Sequence, residues 1–120
     1  RLDSDFVALL EAIATGNLRN IRIAEDRRFA TTVILVSGGY PEKYEKSKEI
    51  QGLERIKDSL VFHAGTKREW QKVVTNGGRV LALTSYGQTM DEALNKSNKN
   101  AECIKFDGKY YRGDIGFDLY

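Results

Sequence analysis

Cysteine, histidine, proline, methionine and tryptophan each occur once in these 120 residues, and their scarcity closes off several chemistries. The lone cysteine, Cys103, excludes an internal disulfide and fits a reducing compartment. The lone histidine, His63, cannot join it in a zinc centre, which needs three or four such ligands. A Cys–His nucleophile pair is set aside too, because Cys103 falls near the end of an amphipathic helix pattern. Long apolar runs are also missing. The longest uncharged stretch, residues 29–41, has only Val33-Ile34-Leu35-Val36 at its heart, whereas a membrane helix takes about 20 apolar residues. Nor is there an excess of one charge. With 19 basic and 17 acidic residues the net charge is +2, and no basic cluster marks a nucleic-acid face. Neither G-x-x-x-x-G-K-[ST] nor G-x-G-x-x-G occurs, so no nucleotide-binding motif is complete. No secretory leader opens the chain, and its first residue is Arg1, so the expectation is a cytoplasmic domain cut from a longer protein.

What remains is ordinary for one small globular domain: 41% hydrophobic and 30% charged residues. Phe6, Leu9, Leu10 and Ile13 recur at helical spacing over 4–15, with Asp3 or Ser4 as N-cap and Gly16-Asn17 as the stop. The charged patch 25–28 suits a turn or strand edge, and 31–36 reads as a buried β-branched strand. Residues 37–41 must turn, since Pro41 cannot continue a ladder. Residues 42–52 suit an exposed loop or short helix, and 60–64 a second strand. The runs 70–75 and 79–86 flank Asn76-Gly77-Gly78 as the arms of a hairpin. Thr89 and Glu92 form a capping box, each side chain meeting the other's backbone N–H. They open a long helix whose face carries Met90, Ala93, Leu94, Ser97, Ala101 and Ile104. Asp107-Gly108 turns between 104–106 and 109–111, which suggests a closing hairpin. The sum is an α+β fold: a small, mostly antiparallel sheet with one long amphipathic helix.

Two patterns are accidents of spelling: Arg112-Gly113-Asp114 and the sequon at Asn95, which falls inside the long helix. The glycine pairs are more informative. Gly38-Gly39 and Gly77-Gly78 each follow a strand and precede a cation, Lys43 or Arg79. Consecutive glycines bare their backbone N–H groups and can cradle an anion. They equally suit turns that need positive φ. His63-Ala64-Gly65-Thr66-Lys67 poses the same choice between a polar site and a capped turn.

Five ordered motifs, Gly38-Gly39-Tyr40-Pro41, Tyr44-Glu45-Lys46, VFHAGTK at 61–67, VTNGGRVL at 74–81, and Tyr110-Tyr111-Arg112 with Asp114-Ile115-Gly116, carry a resemblance over nearly the whole chain. Together they resemble the C-terminal domain of the phosphoribosylamine–glycine ligases, and the opening helix resembles the segment joining it to an ATP-grasp core. The resemblance implies a linker over residues 1–20, a ligase C-terminal domain over 21–120, and the core as partner. It implies a parent enzyme that joins glycine to phosphoribosylamine in purine synthesis, with ATP and Mg²⁺ held outside this segment. No catalytic or metal-binding residue is expected here, and the segment alone is expected to be inactive. The substrate-facing candidates are Gly38, Gly39, Tyr40, Pro41, His63, Lys67, Asn76, Gly77, Gly78 and Arg79, with Arg79 and Lys67 as partners for the substrate phosphate. Glu42 and Ser47 stand where the family more often has glycine, which implies a less tightly bent 42–48 loop. Two other readings stay open: a free-standing module that binds a phosphorylated ligand, and a purely structural lid.

Overall fold

A computed structural model describes residues 1–119. Three strands, β1 (Phe29–Val36), β5 (Arg79–Gly87) and β2 (Ser59–His63), form an antiparallel sheet with β5 central. Strand parity sorts their side chains. Val33 and Leu35 of β1, Leu81 and Leu83 of β5 and Val61 of β2 face inward. There they meet α2 (Met90–Cys103), which adds Ala101 and leads into Ile104 and Phe106. Each fully buried leucine contributes about 1.5–3 kcal/mol by leaving water. A second, two-stranded sheet pairs β3 (Thr66–Glu69) with β4 (Lys72–Thr75).

Polar groups fix how the helix sits on the sheet. Ser97 of α2 meets the Thr31 hydroxyl at 2.9 Å and donates to the Ser85 hydroxyl at 2.8 Å. Ser85 meets Ser59 at 2.6 Å, and the Asn100 amide donates to Ser59 Oγ at 2.6 Å and to the Lys57 carbonyl at 2.7 Å. This seam crosses all three strands. Each bond nets only about 1 kcal/mol, far less than the aliphatic core, but an orphaned member would cost about 1–3 kcal/mol. Registration, more than stability, is what it adds.

Several expectations change in detail. The N-cap of α1 (Phe6–Ala14) is Asp5, whose Oδ1 accepts from Val7 and Ala8, while Ser4 Oγ accepts from the Ala24 N–H. Gly16 does end that helix, at φ +67°. Thr89 caps α2 as expected, but the Glu92 carboxylate reaches back to the Gln88 N–H and not to that of Thr89. The hairpin expected around Asn76-Gly77-Gly78 does not form. Its first arm, β4, pairs with β3 through the two-residue turn Trp70-Gln71, and both edges of β5 are taken by β1 and β2. Trp70 holds the positive φ (56°), whereas neither Gly77 nor Gly78 does. A turn exists at Gly108 (φ +74°), yet its flanks pair elsewhere: Lys105 bridges to Gln51 and Tyr110 to Val36. Residues 42–52 form no helix, and Ile50 is buried. The 42–48 loop bends at Ser47. Ser47 itself takes φ 59°, anchored by its N–H on the Thr75 carbonyl at 2.7 Å.

The N-terminal segment folds back on itself. Leu2 bridges to Glu25, and the Asp26 N–H donates to the Arg1 carbonyl. Beside it Arg28 lies 4.5 Å from the Tyr86 ring and grips Asp26 at 2.6 Å.

Replacing Ser97 with alanine orphans part of the seam, and should lower stability by about 1–3 kcal/mol. The measurement is a urea midpoint shift at unchanged slope. A second expectation concerns Asp26, whose pKa is held at about 2, below its ordinary 3.8, chiefly by the hydrogen bond from Arg28. Because the folded value is the lower one, this contribution is complete above the ordinary value and is lost as pH falls through about 2. NMR titration of the Asp26 carboxyl should show that midpoint, and Arg28→Met should return it to the ordinary range.

Candidate substrate-facing cleft

One irregularity aims the cation of the Asn-Gly-Gly-Arg motif. Between Leu35 and Val36 the β1–β5 register shifts, so Leu35 pairs with Leu81 but Val36 pairs with Arg79. The skipped residue, Val80, turns into the core and is fully buried. Without this bulge Arg79 would fall on the helix side. With it, Arg79 lies beside Val36 on the opposite, outer side of the sheet.

Glycines then draw three loops against that corner. Ser37 N–H donates to the Gly78 carbonyl at 2.8 Å and Ser37 Oγ to the Gly77 carbonyl at 2.9 Å, joining the GGYP and NGGR turns. A Cβ on Gly78 would overlap the Tyr40 ring, one on Gly38 would lie 2.8 Å from the Gly108 carbonyl, and one on Gly65 would lie 2.7 Å from Gly77 Cα. Close approach, and not turn conformation, demands glycine at Gly38, Gly65 and Gly78; of the GGYP and NGGR pairs, only Gly39 has positive φ (+89°). The Gly65 N–H reaches the Arg79 carbonyl and the Asn76 N–H reaches the Gly65 carbonyl. Among the described residues the N–H groups of Gly38, Gly39, Gly77 and Gly78 find no acceptor. Tyr40 packs near Tyr44, with ring centroids 6.1 Å apart, and its bond to Pro41 is cis.

A cleft of about 320 Å³ opens there, walled by Ile34, Val36, Tyr40, Tyr110, Tyr111 and Ile115, with Arg79 and Arg112 among its lining. The two arginines differ. Arg112 is bound in bidentate fashion by Asp114, at 2.9 and 3.0 Å, which lowers the Asp114 pKa and raises that of Arg112. The Arg-Gly-Asp tripeptide is thus occupied with itself. Arg79 has no counter-ion among the described residues. Behind the cleft Lys109 donates to the Ala101 and Ile104 carbonyls at 2.8 and 2.6 Å, ending α2, and burial lowers its pKa. The same burial raises that of Tyr111.

The other two polar candidates lie apart from this cleft. His63 has the parity of Val61, so its side chain leaves β2 on the helix side, where Nδ1 meets Thr66 Oγ1 at 2.9 Å. Lys67 is engaged by Glu69 at 2.5 Å on β3. Neither lines the cleft with Arg79. Tyr110, Tyr111, Arg112 and Ile115 do line it and were absent from the candidates, although the Tyr-Tyr-Arg motif had signalled that region. Among the described residues, no three His, Cys, Asp or Glu side chains are placed to hold a metal ion.

A two-layer α+β domain with an apolar, arginine-edged cleft on its open sheet face defines the class. The chain belongs to the family of the phosphoribosylglycinamide synthetase C domain, whose model matches residues 30–118. It is similar to the phosphoribosylamine–glycine ligases of Caldanaerobacter subterraneus (41% identical over 95% of this chain) and Haemophilus influenzae (41% over 98%). It also resembles the crystal structure of that ligase from Thermotoga maritima, at 39% identity over 88% of the chain with a TM-score of 0.72. The chain spans 27–28% of the length of these relatives, and corresponds to their C-terminal part.

Gly78→Ala should push the Tyr40 ring aside at a cost of about 1–3 kcal/mol, as other overpacking changes do. Gly113→Ala, with open space around its Cβ, should be near neutral. Thermal unfolding of the two variants side by side makes the comparison.

Proposed function

We propose that this domain closes the substrate site of a phosphoribosylamine–glycine ligase, the cytoplasmic enzyme that joins glycine to phosphoribosylamine as ATP becomes ADP and phosphate. Family membership supports the enzyme class. The observation that carries the local role is Arg79: a guanidinium placed in a cleft by a bulge, without a counter-ion among the described residues, and directly following in the chain the unbonded N–H groups of Gly77 and Gly78. A fixed cation and bare N–H groups are what a substrate phosphate needs. Tyr40 and Pro41 shape the wall, and Asn76 holds the turn. Lys67 and His63, engaged on other faces, are left out of the phosphate contact.

ATP and Mg²⁺ belong to the ATP-grasp core in this reading. The described residues offer no metal ligand set, so no step is assigned to them through either group. Residues 1–20 join the domain to that core. Phe6, Val7, Leu10 and Ile13 of α1 are exposed, an apolar surface that a core would cover. The purely structural lid has one observation in its favour, the packing role of the glycines, and it predicts changes in melting temperature alone.

In the full-length ligase, Arg79→Ala should lower kcat/KM for phosphoribosylamine about ten- to a hundredfold, the worth of a charged hydrogen bond. The melting temperature should barely change. Unaltered kinetics would remove Arg79 from the substrate site.

A further inference from the structure

The Asn76-Gly77 pair forms no hairpin, but its chemistry remains. An asparagine followed by glycine sets a side-chain carboxamide next to a backbone nitrogen that no Cβ shields. Both reacting groups are free. Asn76 is exposed, and among the described residues its amide makes no hydrogen bond. The Gly77 N–H likewise finds no acceptor there. The turn is held by its other groups: the Asn76 N–H donates to the Gly65 carbonyl at 2.8 Å, and Ser37 Oγ donates to the Gly77 carbonyl at 2.9 Å. The remaining asparagines lack this arrangement. Asn17 and Asn20 bond to each other through their side chains and precede Leu18 and Ile21. Asn95, Asn98 and Asn100 lie within α2, where the N–H that follows each is spent on the helix.

We infer that Asn76 is a modification site, at which the Gly77 nitrogen closes on the side chain and converts the asparagine to aspartate and isoaspartate. The Gly77 N–H gives its proton to hydroxide, and the nitrogen bonds to Asn76 Cγ. The Cγ–Nδ2 bond breaks, Nδ2 takes a proton from water and leaves as ammonia, and a cyclic succinimide remains. Water then opens the ring. Cleavage between Cγ and the Gly77 nitrogen yields aspartate. Cleavage at the main-chain carbonyl yields isoaspartate, in which the backbone runs through Cγ. Water is the only co-reactant.

Either product places a carboxylate three positions before Arg79, which has no counter-ion among the described residues. Isoaspartate also lengthens the backbone by one carbon, about 1.5 Å. That length has no room, since a Cβ on Gly65 would already lie 2.7 Å from Gly77 Cα. The modification therefore ages the turn by charge and by length. Its effect on catalysis rests on the ligase reading, whereas the conversion itself does not.

Ageing the full-length ligase at mildly alkaline pH, followed by trypsin and mass spectrometry, tests this. Trypsin releases Asn76 in the peptide 73–79, which follows Lys72 and ends at Arg79. Its aspartate and isoaspartate forms should accumulate together, and faster as pH rises, while the other asparagine peptides stay unchanged. Asn76→Gln, which lengthens the reacting arm, should stop the conversion. A 73–79 peptide that stays intact in the folded enzyme while the urea-unfolded chain converts would overturn the inference. Aspartate appearing without isoaspartate would overturn it too. In the converted fraction kcat/KM for phosphoribosylamine should fall about tenfold, as a neutralised phosphate partner would dictate. Full conversion with unaltered kinetics defeats the role given to Arg79 alone, and an active enzyme that never converts defeats the modification alone.

Discussion

The chain of hydroxyls from Thr31 through Ser97, Ser85 and Ser59 to Asn100 sets where everything else can be. Aliphatic burial would hold α2 against the sheet in several sliding positions, because leucines and valines tolerate small translations. Hydrogen bonds between short side chains do not. Once Ser97 lies over Ser85, the helix axis is placed along β5, and the exit of α2 at Ile104 is placed with it. From that point Lys109 seals the last carbonyls, Tyr110 bridges to Val36, and the tyrosine wall of the cleft stands beside β1.

At the far end of β5 the governing constraint is space. Gly38 against Gly108, Gly65 against Gly77, and Gly78 against the Tyr40 ring bring separate loops to backbone contact. This proximity leaves Gly77 and Gly78 with carbonyls bound to Ser37 and N–H groups unbound. The carbonyls of these two glycines thus cement the loops to one another.

Local signals were legible and long-range ones were not. Thr89 as a cap, the β-branched run of β1, and Gly16 as a stop are decided within a few residues of themselves, and the structure keeps them. The Asn-Gly pair misled because hairpin preference is also local, whereas β5 is paired by two strands whose partner residues lie 18 to 58 positions away. Asn100 escaped notice because a polar residue on a helix reads as solvated until its partners on 57 and 59 are known. The glycine pairs were read as anion cradles or as positive-φ turns; of the four only Gly39 has positive φ, and the close approach of neighbouring loops, which accounts for Gly38 and Gly78, was not foreseen. That Arg79 belongs with them and His63 does not depends on strand parity and on a bulge, which no spacing in the sequence announces.

That bulge has an evolutionary consequence. Arg79 shares the outward sense of Val36 only because one residue, Val80, is counted out of the ladder, while residues 81–87 keep a continuous register with β1. Within β5 only even changes of length preserve the facing of its side chains. An odd insertion or deletion there would trade the leucines of the core for the threonine and alanine of the open face in a single event. The strand is consequently the least editable part of the domain in length, however freely its individual residues drift.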